Sequence, residues 1–131
     1  MAAYAFRLKP GADLKLAIQQ KVIDLGIEAG WIATAVGSLT NYNIRFANQP
    51  AATMKTGFFE IVSLTGTVSI NGSHLHVSIS DTKGKMIGGH LLEGCIIYTT
   101  AEIVLMSSAR YEFKRLRDGS TPWEELQVTE L

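Results

Sequence analysis

Three histidines are the residues of this sequence best suited to chemistry, and all of them lie between residues 72 and 95. His74 and His76 are separated by one residue in an alternating segment, so both rings would point to the same face of a β-strand. A turn predicted at residues 82–85 would send the chain back and bring His90 beside them. Neutral imidazole is a common ligand of transition metals, so this spacing predicts a three-histidine site for a zinc-like ion.

The same pattern also fits histidines that pack and hydrogen-bond across a pair of strands without any ligand. Gly88 and Gly89, which precede His90, have no side chains and would let the backbone approach another group closely. A His-x-His pair is also a weaker metal signature than His-Glu-x-x-His on a helix. At this level both interpretations stay open.

Other residues could carry chemistry, and each has a structural alternative. Glu102 lies in an apolar segment, where it could act as a proton shuttle beside a metal or form a salt bridge with Arg110 or Arg45. The salt bridge is the preferred interpretation. Cys95 is predicted to be a small buried residue rather than a nucleophile. The basic segment 114–117 would alternate between the faces of a strand, which favours a solvated edge over a nucleic-acid patch.

Composition and charge limit the function classes. The 131 residues suit a single domain, 1–131, since 47% of them are hydrophobic and 18% are charged. Basic and acidic residues balance at twelve each, which argues against strong non-specific binding of nucleic acid. The single cysteine, the absence of a signal-peptide pattern and the lack of an apolar segment of about 18 residues predict a cytoplasmic protein with no membrane partner.

The elements that would position the histidines are mostly strands. Asp13 can cap a helix of roughly 16 residues that ends at Gly26 or Gly30. Strands are predicted over 4–8, 31–37, 38–46, 58–70, 74–80, 86–90, 95–106, 111–116 and 124–128, with a bend at Gly37, a loop over 47–57 and a bulge at Gly66. One early helix followed by successive strands predicts an α+β fold, in which one long helix packs on a mainly antiparallel sheet.

The sequence resembles the PPC domain, the domain conserved in plants and prokaryotes. The segments that carry the resemblance are 59–69, 74–81 and 84–105, which read FEIVSLTGTVS, HLHVSISD and GKMIGGHLLEGCIIYTTAEIVL. The start, FRLKPGADLKLAI, and the end, FKRLRDGSTPWEEL, also match. The resemblance implies a two-layer α/β domain with a mostly antiparallel sheet, and it implies a homotrimer.

The resemblance carries conflicting implications for function. In plants the domain follows AT-hooks, Arg-Gly-Arg-Pro segments that bind the minor groove, and the family is labelled DNA-binding. This sequence contains no such segment, so the resemblance favours an oligomeric binding or regulatory module that reaches DNA weakly or through partners. The fold is also similar to part of acetolactate decarboxylase, a zinc enzyme. The matching histidines here are His74, His76 and His90, which supports the alternative of a zinc-dependent enzyme on a small substrate, with Glu102 as proton shuttle. A third alternative is a scaffold whose histidines only pack.

Overall fold

Strands account for most of this chain. The computed structural model describes residues 1–131, with one helix, α1 (Leu14–Asp24), and eight strands: β1 (Ala2–Leu8), β2 (Gly30–Arg45), β3 (Thr53–Val68), β4 (His74–Ser80), β5 (Met86–Leu91), β6 (Ile96–Ser107), β7 (Tyr111–Leu116) and β8 (Glu125–Glu130). At 11 residues, α1 falls short of the length and apolar character that a bilayer crossing requires.

Six of the strands form one antiparallel sheet in the order β1-β6-β2-β3-β4-β5. The far end of β2 also pairs with β5, through Ile44 opposite Leu91 and Arg45 opposite His90. This extra pairing closes β2, β3, β4 and β5 into a ring, so β5 is hydrogen-bonded along both edges. The predicted α+β class with a mainly antiparallel sheet is confirmed.

Helix α1 is shorter than the sequence predicted. Asp13 caps its start by accepting a hydrogen bond from the amide of Leu16 at 3.1 Å, as expected. Leu14, Ile18 and Val22 are fully buried in the core, so one face of the helix packs on the sheet as predicted. The helix ends after 11 residues because Gly26 adopts a left-handed conformation, with φ at 64°, which a side chain would oppose.

Three predicted features of the strands are wrong. Residues 30–45 form one strand rather than two, because Gly37 is not a bend: it lets β6 approach so closely that a Cβ would collide with the carbonyl of Thr100. The predicted loop over 47–57 is shorter, since β3 already begins at Thr53. The β3–β4 register shifts between Ile61 and Ser63 rather than at Gly66, whose backbone lies against the carbonyl of His74.

One apolar core fixes the strand that carries two of the histidines. Alternate residues of β4 point into it, and Leu75, Val77 and Ile79 are all at most 4% exposed. Burying an aliphatic side chain of this size contributes about 1.5–3 kcal/mol, so a slip of β4 by one residue would be very costly. The opposite face of β4 is thereby held outward, as the alternation predicted.

The β7–β8 hairpin forms its own two-stranded sheet and docks beside the β3–β4 turn. The amide of Phe113 donates to the carbonyl of Glu28 at 2.9 Å. The carbonyl of Phe113 accepts hydrogen bonds from Ser69 Oγ at 3.0 Å and from Asn71 Nδ2 at 2.9 Å. These contacts place the end of the hairpin next to His74.

Candidate metal centre

The three histidines come together where the sequence placed them. His74 and His76 lie on the outward face of β4, and His90 lies directly opposite His76 in the β4–β5 register. Directly opposed residues of antiparallel strands have their Cβ atoms about 4.5–5.5 Å apart, so the side chains meet without any long reach. We call these three residues the histidine cluster.

The ring nitrogens of the histidine cluster converge. One potential ligand nitrogen from each ring can be chosen so that all three lie within 4.8 Å of one another. The Nε2 atoms of His74 and His76 are 3.2 Å apart and share a hydrogen bond. Tetrahedral zinc bonded to two imidazoles at its usual distance would hold their nitrogens about 3.3 Å apart, so the donor set fits such an ion.

Two of the three histidines have lowered pKa values, which favours their neutral form. Burial lowers the pKa of His90 to about 4, and the positive potentials of His74 and Arg45 reinforce the effect. Burial also lowers the pKa of His74, assisted by His76 and Arg115 and partly opposed by Glu125. Metal ligation requires unprotonated imidazole. Both lowered pKa values therefore allow these rings to bind a metal at a lower pH than ordinary histidines.

Gly88 and Gly89 have the close-approach role that the sequence indicated, and the groups they approach are neighbouring strands. A Cβ on Gly88 would lie 2.6 Å from the carbonyl oxygen of Val77 in β4. A Cβ on Gly89 would lie 2.5 Å from the carbonyl oxygen of Arg45 in β2. The two glycines therefore let β5 fit between β4 and β2, which sets the position of His90.

Distant segments complete the surroundings of the histidine cluster, and their residues were not among the predicted site residues. A cavity of about 630 Å³ opens beside His74 and His90. We call it the cationic cavity, and its other charged or aromatic lining residues are Arg45, Arg115, Arg117, Trp123, Glu124 and Glu125. Arg45 comes from β2, and the others come from the β7–β8 hairpin and its turn. The density of basic residues in 114–117 was the feature of the sequence that could have indicated this cavity.

Glu102 does not join the site. It is exposed on β6, paired with Arg7 of β1 and Val36 of β2. Val36 lies nine residues along β2 from Arg45, the partner of His90, which corresponds to roughly 30 Å of strand. The preferred salt bridge is absent too, because Arg110 pairs with Glu130 at 2.7 Å and Arg45 lies over the ring of Trp123. The carboxylates that line the cationic cavity are Glu124 and Glu125.

Cys95, the remaining candidate residue, has a structural role. Cys95 is fully buried, and its Sγ accepts a hydrogen bond from the amide of Asn43 at 3.3 Å. Burial raises the pKa of the Cys95 thiol, which keeps it protonated and unreactive. The prediction of a small buried residue is confirmed.

Comparison with known families identifies the chain. The Plants and Prokaryotes Conserved (PCC) domain, which is the PPC domain, matches residues 1–109. The chain belongs to the PCC-domain family. The match ends before β7, so the hairpin that supplies most of the cationic cavity lies outside the matched part of this PCC-domain chain.

Similar proteins share the fold over most of its length. A hypothetical protein from Salmonella cholerae-suis is 38% identical with a TM-score of 0.96, covering 98% of this chain and 94% of that one. A metal-containing protein from Archaeoglobus fulgidus is 27% identical with a TM-score of 0.79, covering 97% and 94%. The bifunctional protein GlmU of a Synechococcus strain is 40% identical over 128 residues, which is 98% of this chain. The chain spans about a fifth of the length of the curated relatives it matches.

Proposed function

We propose that this PCC-domain chain binds one zinc-like ion per chain through His74, His76 and His90 and acts on a small molecule held in the cationic cavity. The observation that carries the proposal is the convergence of three imidazole nitrogens within 4.8 Å on a face of the sheet that has no part in the core. Three histidine ligands leave a fourth coordination position free, which is the arrangement of catalytic rather than structural zinc, where the ion acts as a Lewis acid.

Two further observations support a metal over simple packing of the rings. The three histidines are exposed or half-buried, so they contribute little to the core that a packing role would serve. A solved relative of the same fold, the protein from Archaeoglobus fulgidus, is described as metal-containing. Within this proposal Glu125 takes the place of Glu102 as the carboxylate available for proton transfer, because it lines the cavity and its negative charge partly offsets the lowering of the His74 pKa.

Metal analysis of protein purified without a histidine tag tests the proposal. After equilibration with zinc and removal of the excess by gel filtration, we expect about one zinc per chain, as three imidazoles and one free position accommodate one ion. Retention of less than a tenth of that amount would leave the histidine cluster without a metal role.

Proton release provides a second prediction. Three ordinary imidazoles would be almost fully protonated at pH 5.5 and would together release nearly three protons on binding zinc. His90, with its pKa lowered to about 4, is already neutral at that pH, and the pKa of His74 is lowered as well. We therefore expect at most about two protons to be released per zinc at pH 5.5. Calorimetry in buffers of different ionisation enthalpy measures this number, and a value near three would contradict the lowered pKa values.

We also propose that the chain assembles as a homotrimer, in keeping with a binding or regulatory module. The specific observation is an exposed apolar patch on the sheet: Val36 is 57%, Phe58 56% and Tyr98 45% exposed. Such patches usually mark contacts between proteins. Sedimentation equilibrium at micromolar concentration should give a species of three 14.3 kDa chains, and a single species of 14.3 kDa would refute the trimer.

Direct DNA binding should be weak. The chain has no net charge, and the arginines of the cationic cavity share it with two glutamates, so no extended basic surface neutralises a phosphate backbone. We expect binding to A·T-rich duplex no tighter than roughly 10⁻⁴–10⁻⁶ M at physiological salt. A nanomolar, sequence-dependent shift in a gel assay would show that DNA is a direct partner.

A further inference from the structure

The guanidinium group of Arg45 has no anionic partner, although it lies at the centre of the candidate site. Arg45 sits directly opposite His90 in the β2–β5 register, so the two side chains project from the same face at neighbouring positions. Its guanidinium forms no salt bridge or side-chain hydrogen bond, and its Cζ lies over the ring of Trp123, 5.7 Å from the ring centroid. A half-buried cation in this state has unused capacity to bind an anion.

Arg115 offers a second cation in the same cavity. Its Nη2 donates to Thr67 Oγ1 at 2.8 Å, which orients the group, while its Nε is buried without a partner. Neither Glu124 nor Glu125 forms a salt bridge with it, although both line the same cavity. The hydroxyl of Thr121 donates to Glu125 at 2.8 Å, so that carboxylate is partly satisfied elsewhere.

The balance of charge around the cationic cavity indicates the charge of its ligand. Three arginines and two glutamates line it, which leaves one positive charge while the histidines are neutral. A divalent ion on the histidine cluster would add two more positive charges. A positive setting of this kind suits an anionic ligand.

We propose that the small molecule taken by this site carries a carboxylate, which binds between the guanidinium groups of Arg45 and Arg115 beside the metal position. This inference rests on the proposed metal function and names the chemical class of its ligand. A guanidinium matches a carboxylate in planar, two-pronged geometry, and such charge-assisted hydrogen bonds are about twice as strong as neutral ones. The ring of Trp123 lies over the same guanidinium.

The test is calorimetric titration of the cobalt(II)-loaded protein, which detects a ligand bound beside the ion as well as one bound to it. The probes are propionate, its neutral analogue propionamide, and inorganic phosphate. We expect saturable binding of propionate that is at least about tenfold tighter than that of propionamide, because the neutral amide lacks the negative charge that a guanidinium binds. Tighter binding of phosphate than of propionate would overturn the carboxylate assignment.

Variants assign the effect to the arginines. Arg45→Met removes the charge without breaking a side-chain hydrogen bond, and it should weaken propionate binding at least about tenfold. Cobalt affinity should stay equal or rise, because a cation is removed from beside His90. Arg115→Met should also weaken propionate binding. Lys114→Met is the matched control, since it removes the same charge from the adjacent residue on the other face of β7, where Lys114 contacts Glu112.

The outcomes separate this inference from the proposed function. Failure of the unmodified protein to bind cobalt would refute the metal site itself. Normal cobalt binding with equal propionate affinity in Arg45→Met and the unmodified protein would refute the carboxylate site and leave the metal site standing. An equal loss of propionate binding in Lys114→Met would also refute the inference, because the effect would then follow net charge alone.

Discussion

Replacement of His76 by alanine should reduce zinc affinity at least about 100-fold. Loss of a residue that only hydrogen-bonds to a metal ligand already reduces metal affinity about 10–100-fold, and His76 is itself a proposed ligand. His76 lies between the other two histidines of the cluster, sharing a hydrogen bond with His74 and facing His90 across the strand pair. Its ring is exposed and outside the core, so the melting temperature of the metal-free protein should change by no more than a few degrees. Calorimetric titration of the metal-free variant with zinc measures the affinity.

Ser78→Ala is the matched control for this substitution. Ser78 is the next residue on the same face of β4, and its Oγ contacts Ser63 Oγ at 2.7 Å rather than the histidine cluster. We expect this variant to bind zinc like the unmodified protein. Equal, weak zinc uptake by the unmodified protein and by His76→Ala would reduce the three histidines to packing residues.

A methyl group added at Gly89 should damage both the fold and the site. Its Cβ would lie 2.5 Å from the carbonyl oxygen of Arg45 and 3.0 Å from Cγ2 of Ile44, and a backbone carbonyl in a sheet cannot rotate aside. We expect Gly89→Ala to lower the free energy of unfolding by about 1–3 kcal/mol, the usual cost of overpacking. Separation of β5 from β2 would also displace His90, so zinc affinity should fall. Urea denaturation and zinc titration measure the two effects.

Gly11→Ala is the control for Gly89→Ala, because it introduces backbone strain without a steric conflict. Gly11 has φ at 89°, which a side chain disfavours, but no atom lies within 4 Å of its added Cβ. The substitution should cost about 1–2 kcal/mol through conformation alone and leave zinc affinity unchanged. If Gly89→Ala were as stable as the unmodified protein, or kept full zinc affinity, the pairing of β2 with β5 would not be what positions His90.

Much of the histidine cluster could be predicted because its determinants are local. The alternation of β4 assigns His74 and His76 to one face and Leu75 to the other, and a short turn returns the chain at His90. These features need only the two-residue period of a strand and the turn signals at residues 82–85. The same kind of local pattern placed the start of α1 at Asp13.

The rest of the site could not be predicted because it depends on contacts between distant segments. Nothing in the residues near Arg45 indicates that β2 returns to pair with β5, and nothing near Arg115 indicates where the β7–β8 hairpin docks. Gly37 illustrates the same limit: its sequence context suggested a bend, whereas its role is to admit the backbone of Thr100 from β6. Glu102 was misassigned because the alternation of β6 gives its face but not its distance from the histidines.

The double pairing of β5 implies an order of events as the chain folds. The β4–β5 hairpin joins residues close in sequence and can form within microseconds, bringing the three histidines together early. Arg45 reaches His90 only when the segment between them closes the ring of strands, which is a slower, non-local step. Zinc can therefore be captured by a nascent hairpin before the cationic cavity exists. Such capture would give the unfolded ensemble some affinity for zinc, so the ion should raise the melting temperature by less than its affinity for the native protein implies.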